Sequence, residues 1–512
     1  MQVDVIDSYS AFEKLEANWQ AVYQADPQAQ LFHSWTWLSP WFRRSAGWLV
    51  LAAKPVGSNE YVALLPLRVT ARVSNTHGVF INEIHMAGSF GWADYTGVVC
   101  EPEHDARAIP ALATALRQLD WTYINLKHLL MSDERMSLFM QPFDHDTFAI
   151  THRPPATDAD RPDNTRCPYV EFGTDFETYL KDKVSANSRQ KLRRLLRQLD
   201  NSADLRITVA TSATYERDAD TLVSFWKKTW APQKGKDLDR LASKYRGILL
   251  RAAEAGTLFM PVLWEGNRPL GVLGNFIDTT RKSMLYFVAG RDETFNNPSP
   301  GLLMHAWCIR WAIEHGLTTY DFLRGNEPFK YSFGSVDRHI QNITIGTRTR
   351  RNPDNRLDPR SLDMVFDEAA RRDDADDIAP AIAGFRQILA THPDHLPALD
   401  RQARLLYQQG EYEESLSLCQ RLVTLRPEND SDWRQLGKAH LALRQHAEAE
   451  AAFRTANRLH PTIAGHHYLV ECLTAQNRTT EAAAVMQALL KLNPRGSREA
   501  SQKKMALARV PK

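Results

Sequence analysis

Four prolines near the end of the chain, Pro393, Pro427, Pro461 and Pro494, recur at spacings of 34, 34 and 33 residues. A fixed period of that length means stacked copies of one small structural unit, each covering the apolar face of the next. A proline at the same place in every copy stops a helix, because it lacks the N–H and clashes with the preceding turn. Within the copy ending at Pro461, Trp433, Leu436 and Gly437 come early, and Ala449, Phe453 and Ala456 come late. Two helices per copy follow, with the small residues letting them approach and the aromatics filling the gap between copies.

These offsets resemble the tetratricopeptide repeat: W-x2-LG in the first helix, A-x3-F-x2-A in the second, then the proline. The copy ending at Pro427 is looser, with Gly410 and Tyr412 at the turn between helices. The copy ending at Pro494 keeps Ala482 and Leu489 but has His466 in place of the tryptophan. Upstream, Ala381, Phe385 and Ile388 match only the second helix of a copy, which reads as a partial cap. The resemblance implies an all-α solenoid over residues 377–496, whose concave groove holds a partner protein. A polar charge cluster, Arg371–Asp377, precedes it and places a linker at residues 349–376; a basic tail occupies 497–512.

The front of the chain is built differently, for twelve of the 13 tryptophans lie before residue 312. Residues 48–53 and 61–73 read as strands, followed by short strands at 84–86 and 97–100, a helix over 104–119 and a strand at 123–126. A passage rich in Pro, Asp and Arg makes residues 151–168 a connector. The plan then repeats: a strand at 169–172, helices at 176–199, 219–229 and 240–255, three strands at 258–264, 269–278 and 283–289, a helix at 301–315 and a closing strand at 319–323. Two α/β halves of one layout, 1–150 and 169–348, are expected.

Hydrophobic residues make up 43% and charged residues 24% of the 512, an ordinary globular mix that excludes a disordered, collagen-like or disulfide-scaffold chain. The net charge of +2 gives no global field of the kind that marks a DNA binder. Cys100, Cys167, Cys308, Cys419 and Cys472 are scattered and never form a C-x-x-C pair, so they read as reduced, buried thiols. No run approaches the roughly 18 apolar residues of a membrane span, and the start has no basic region followed by an apolar stretch. The cytoplasm is the expected compartment. No HExxH, GxSxG or Walker pattern occurs, so no metal is expected, nor a serine hydrolase or an NTPase.

Ser299, Pro300 and Gly301 open the helix at 301–315 after a strand and a loop, an arrangement that caps a helix and also exposes unpaired N–H groups to an anion. Most capped helices bind no anion, so the neighbouring residues decide. The SPG loop, the helix with Trp307, Trp311 and Glu314-His315-Gly316, and the strand Tyr320-Asp321-Phe322-Leu323-Arg324-Gly325-Asn326-Glu327-Pro328-Phe329-Lys330 resemble one family. It is the CelD/BcsL-type (BioF2-like) acetyltransferases of the GNAT superfamily, similar to the FemAB double-GNAT proteins. Phe329 stands where that family usually has tyrosine, while Lys330 and Gly334 match. Phe32-His33-Ser34-Trp35-Thr36-Trp37, Leu65-Pro66-Leu67 and Gly91-Trp92-Ala93-Asp94-Tyr95-Thr96-Gly97 extend the resemblance over roughly residues 1–345.

The resemblance implies tandem GNAT-like acyl-CoA N-acyltransferase halves that move an acyl group, from acetyl-CoA, to an amine or hydroxyl of a small molecule, sugar, polysaccharide or cell-envelope precursor. The CoA pyrophosphate would rest on Ser299, Gly301, Leu302 and Leu303. Asp321 or Glu327 would serve as base, and Arg324 or Lys330 would bind an acidic acceptor or stabilise the oxyanion. The same four charges read equally as an ion-pair knot locking a loop. Asp94 and Tyr95 are the acceptor contacts in the first half. The basic helix carrying Arg189 and Arg193 would dock an anionic partner, whether CoA phosphates, a lipid-linked glycan or, as in the FemAB relatives, aminoacyl-tRNA; a solvated basic face is the plainer reading. A non-catalytic GNAT-like scaffold with a repeat module, or an aminoacyl-tRNA-dependent transferase, are the competing functions.

Overall fold

The computed structural model describes residues 1–88, 92–152, 162–295, 297–494, 500–501 and 503–504. Gly91, half of the expected connector (residues 153–161) and most of the basic tail lie outside them. The chain divides into two compact units, one made of residues 1–69, 84–119 and 123–350, the other of 70–83, 120–122 and 351–512. Mixed α/β structure is followed by an array of helices.

Two eight-stranded sheets carry the α/β part. The first comprises β1 (Gln2–Ile6), β2 (Trp48–Lys54), β3 (Ala63–Val73), β4 (Phe80–Met86), β5 (Val99–Cys100), β6 (Tyr123–Leu129) and β7 (Phe148–His152). The second comprises β8 (Arg166–Glu171), β9 (Leu205–Val209), β10 (Leu258–Phe259), β11 (Pro261–Glu265), β12 (Arg268–Asp278), β13 (Ser283–Arg291), β14 (Thr319–Asp321) and β15 (Val336–His339). The last strand, β16 (Gln341–Thr347), returns to the first sheet and pairs antiparallel with β6 on one side and β7 on the other. The segment 341–347, expected within the second half at 169–348, thus belongs to the first sheet.

Written from the matching edge, the sheets run β1-β2-β3-β4-β6-β16-β7 and β9-β11-β12-β13-β14-β8-β15, and each has a short extra strand on its third member. The common layout expected from sequence is therefore visible in the strand order itself. Runs such as Leu49-Val50-Leu51-Ala52-Ala53 in β2 are buried on both faces, which is why they read as continuous apolar segments and not as alternation. β1, β7, β9, β15 and β16 are not among the expected strands because they are short, polar or half-exposed, and it is tertiary pairing that makes them strands.

The long helix expected at 176–199 is two, Phe176–Lys183 and Ala186–Asp200. Val184 is extended between them, and the Ser185 hydroxyl caps the second by accepting from Ser188 N–H. Leu192, Leu195, Leu196 and Leu199 bury its apolar stripe in the core that also holds Leu303, Ile309 and Tyr320.

The second unit holds eight consecutive helices from Leu362–Asp374 to Thr479–Leu490. The stretch expected as a linker contains the first of them, so the partial cap is a full helical pair. Leu362, Val365 and Ala369 pack with Ala381, Phe385 and Ile388, a short apolar stripe hidden in sequence by the surrounding charges. The charge cluster is tied down: Arg372 bonds Asp377, and Arg401 and Arg404 both reach Asp373. In the best-formed copy a Cβ on Gly437 would lie 2.7 Å from the Phe453 ring, so glycine is what admits the aromatic. The indole N–H of Trp433 donates to the carbonyl of Pro427 at 2.7 Å.

Candidate functional site

The site forms where two parallel strands part. β13 and β14 are paired only from Ser283 and Thr319 to Leu285 and Asp321. β14 then ends, while β13 continues to Arg291 along β12. A bulge falls at the point of divergence, since Gly274 faces Val288 and Asn275 faces Tyr286, leaving Phe287 as the extra residue. Bulges of this kind bend a strand and re-aim its side chains.

Beside the gap lies a cavity of about 460 Å³, lined by Tyr286, Arg291, Ser299, Gly301, His305 and Phe329 among others. The helix Pro300–Glu314 opens onto it. Ser299 is the N-cap, and no side chain caps the end. Of the donors a helix start leaves without an intrahelical acceptor, Pro300 has none to offer, so Gly301 and Leu302 present theirs. Leu303 does not: its N–H donates to the Ser299 carbonyl at 3.1 Å, and its side chain is fully buried in the core. The Arg291 guanidinium stands 3.8 Å from the position a Cβ on Gly301 would take, adding a formal positive charge to the helix dipole. Arg291 is also held by Glu293, at 3.1 Å. Two backbone donors, one guanidinium and open space fit a phosphate or diphosphate group.

Tight packing fixes the far wall. A Cβ on Gly290 would come within 2.3 Å of the Leu222 carbonyl oxygen, so the helix Tyr215–Lys234 lies directly on β13 there. That helix supplies Thr229 and Trp230 to the cavity.

The four charges expected to do chemistry divide into two groups. Glu327 and Lys330 form an ion pair at 2.9 Å in the loop beside the cavity. Lys330 is almost fully buried and also donates to the carbonyls of Arg324 and Gly325, at 2.9 and 2.8 Å. It therefore locks the loop that carries Glu327. Glu327 helps to raise the Tyr286 phenol above its ordinary range, after the larger effect of burial, so the tyrosine keeps its proton.

Asp321 and Arg324 turn the other way, toward the first half. The Asp321 carboxylate is 1% exposed and accepts from the Tyr95 hydroxyl at 2.9 Å, the Leu323 N–H at 2.8 Å and Arg338 at 3.0 Å. Burial raises its carboxyl above the usual range, and Arg338 acts against that. Leu323 adopts a left-handed φ of 54°, and its bond to Asp321 holds that turn. Arg324 donates to Asp94 at 2.5 Å and to His128 Nε2 at 2.8 Å. Asp94 and Tyr95 are thus gathered with Asp321 and Arg324, as a clasp between the halves and apart from the cavity.

Arg189 and Arg193 are engaged locally. Arg189 donates to the Lys181 carbonyl at 3.1 Å, at the end of the preceding helix, and Arg193 pairs with Glu177. Sequence reading missed Tyr286, Arg291 and His305; the strand–helix position of all three was legible, but not that they share one wall.

His33, His128 and His305 have their pKa values lowered from 6.5, the first two to about 4 and the last to about 3, with burial the chief cause in each. The unfolded chain binds these protons as pH falls through 6.5, and the folded chain resists until its own values are reached. Stability is therefore fully present above that pH and declines below it, by at most about 1.4 kcal/mol per pH unit for each histidine. Urea unfolding between about pH 7 and 4.5 is expected to show a falling midpoint; a midpoint rising on acidification would contradict this.

Residues 186–331 match the family model described as an acetyltransferase (GNAT) domain. Residues 366–430 and 434–497 match the tetratricopeptide repeat. Among solved structures the chain is similar to FemX, at 12% identity and a TM-score of 0.47, over 67% of this chain and 97% of that one. It is also similar to MamA from Desulfovibrio magneticus RS-1, at 20% identity and a TM-score of 0.25, over 26% and 75% of the two chains. A thermophilic TPR protein in Thermus thermophilus is similar at 21% identity and a TM-score of 0.26, over 29% and 83%. None of the curated proteins compared with the chain matches it. Residues 186–331 are GNAT-like, and the helices that follow are similar to tetratricopeptide repeats. Among the described residues no helix is long and apolar enough to cross a membrane.

Proposed function

We propose that this chain is an acyl-CoA-dependent acyltransferase, using acetyl-CoA, that acylates an amine or hydroxyl of a sugar, polysaccharide or cell-envelope precursor. The observation that carries the reading is the cavity at the start of Pro300–Glu314, where the N–H groups of Gly301 and Leu302 converge with Arg291. Those groups would hold the CoA diphosphate, and the gap between β13 and β14 would lead its thioester arm inward. When bound, CoA supplies the activated acyl carbonyl.

The chain's own residues do the rest. Glu327 takes the proton from the attacking amine or hydroxyl, and Lys330 holds that carboxylate in place. Tyr286, whose phenol stays protonated, donates a hydrogen bond near the departing sulfur. Asp321, Arg324, Asp94 and Tyr95 hold the halves at the distance the acceptor requires. The repeats present a groove to a protein partner, and the reaction proceeds in the cytoplasm. Calorimetry with acetyl-CoA on the full chain tests the reading: saturable one-to-one binding is expected, and no heat at millimolar ligand would end it.

A further inference from the structure

His305 lies a little over one turn inside the helix Pro300–Glu314, on the cavity wall, and is only 2% exposed. Its Nδ1 is 2.8 Å from the Tyr320 hydroxyl, and among the described residues its Nε2 has no hydrogen-bond partner. Behind it a run of polar groups crosses the core: Tyr320 reaches Asn275 Oδ1 at 3.5 Å, and the fully buried Asn275 amide lies 3.7 Å from Cys308 Sγ. Polar groups in an apolar core are costly unless they are satisfied. The rings of Phe322, Phe329 and Phe333 surround His305 at centroid distances of 5.4–5.7 Å, so a phenylalanine at 305 would serve packing alone.

The Tyr320 hydroxyl lies 2.8 Å from Nδ1 and 3.5 Å from Asn275 Oδ1, and donation of its one proton to Nδ1, the shorter contact, leaves the ring proton on Nε2. Tyr286 from β13 and Tyr320 from β14 pack edge-on to the ring, the charge of Lys330 in the following loop acts on it, and the charge of Glu327 acts on Tyr286. Burial and the Lys330 ammonium keep it neutral, with a pKa lowered to about 3.

We propose that His305 is a catalytic residue of the acyl transfer, a neutral imidazole whose Nε2–H donates to the thioester carbonyl oxygen as negative charge develops there. The inference rests on the acyl-CoA reading of the cavity. The acceptor's lone pair attacks the carbonyl carbon, forming the new C–N or C–O bond and shifting the π pair onto oxygen. Collapse restores the carbonyl and breaks the C–S bond, and the departing thiolate takes the proton the acceptor gives up. His305 neither gains nor loses a proton, so its contribution is independent of pH. A single donor of this kind is worth roughly 100- to 1,000-fold in kcat.

Nitrogen-15 NMR of the histidine-labelled full chain tests this directly. His305 is expected as the neutral Nε2–H tautomer from about pH 5 to 9, and its Nε2 resonance is expected to move when acetyl-CoA saturates the protein. Kinetically, His305→Phe is expected to lower kcat for acetyl transfer to hydroxylamine, a small surrogate nucleophile, by roughly 100-fold or more, while the Kd for acetyl-CoA changes by less than about threefold. His305→Gln keeps a donor and recovers part of the loss. An Nδ1–H tautomer, a titration near neutral pH, an Nε2 signal unmoved by bound acetyl-CoA, or full kcat in His305→Phe would each overturn the proposal. Absence of acetyl-CoA binding to the unaltered protein would instead remove the acyl-CoA reading, and calorimetry separates that outcome from the others.

Discussion

Gly301→Asp is expected to weaken acetyl-CoA binding by roughly a hundredfold or more while slightly stabilising the fold, because the substitution acts on two quantities with opposite signs. Two like charges about 4 Å apart repel by about 4 kcal/mol at the dielectric of a protein surface, and an aspartate here would stand where a phosphate should rest. It would also draw off Arg291, whose guanidinium lies 3.8 Å from the new Cβ. The fold has no objection. Among the described residues only Arg291 comes within 4 Å of that Cβ, and an acidic residue in the first turn complements the helix dipole by about 0.3–1 kcal/mol. Calorimetry with acetyl-CoA and a thermal melt read the two effects separately. Unchanged affinity in a folded variant would move the diphosphate site elsewhere.

Asp321→Ala is expected to cost about 3 kcal/mol of stability or more, with little change in acetyl-CoA affinity. The substitution strips the buried Tyr95 hydroxyl of its acceptor, leaves Arg338 without its carboxylate, and releases the left-handed turn at Leu323. Removing one partner of a buried ion pair is costlier than the pair's net worth, since the survivor stays desolvated. No atom of Asp321 borders the cavity, so binding has no reason to change. Urea unfolding of the α/β unit is the measurement. A variant of unaltered midpoint but greatly reduced turnover would show Asp321 to be a base after all.

That contrast shows what sequence could and could not convey. The SPG loop was legible because it depends on local backbone rules: a cap, a proline in the first turn and a glycine. The repeats were legible because a period survives divergence of most individual residues. The charged run from Asp321 to Lys330 was recognised as a site, but Asp321 and Arg324 find partners some 200 residues away in Asp94, Tyr95 and His128, while Glu327 and Lys330 pair with each other. Contiguity in sequence suggested one cluster; the left-handed turn at Leu323 and the loop beyond the strand made two. His305 gave no signal, because a histidine among aromatics in a buried helix looks like packing until its polar neighbours Tyr320 and Asn275 are placed behind it.

The return of β16 to the first sheet bears on how the chain is made. β6 and β7 are not neighbours until Gln341–Thr347 fills the space between them. A ribosome adding about 5–20 residues per second needs roughly 10–40 s to travel from His152 to Thr347. Through that interval the emerging first half holds two strand edges with open N–H and C=O groups, which attract any other extended segment. Synthesis itself is thus a period in which two edges of this protein stand open to mispairing.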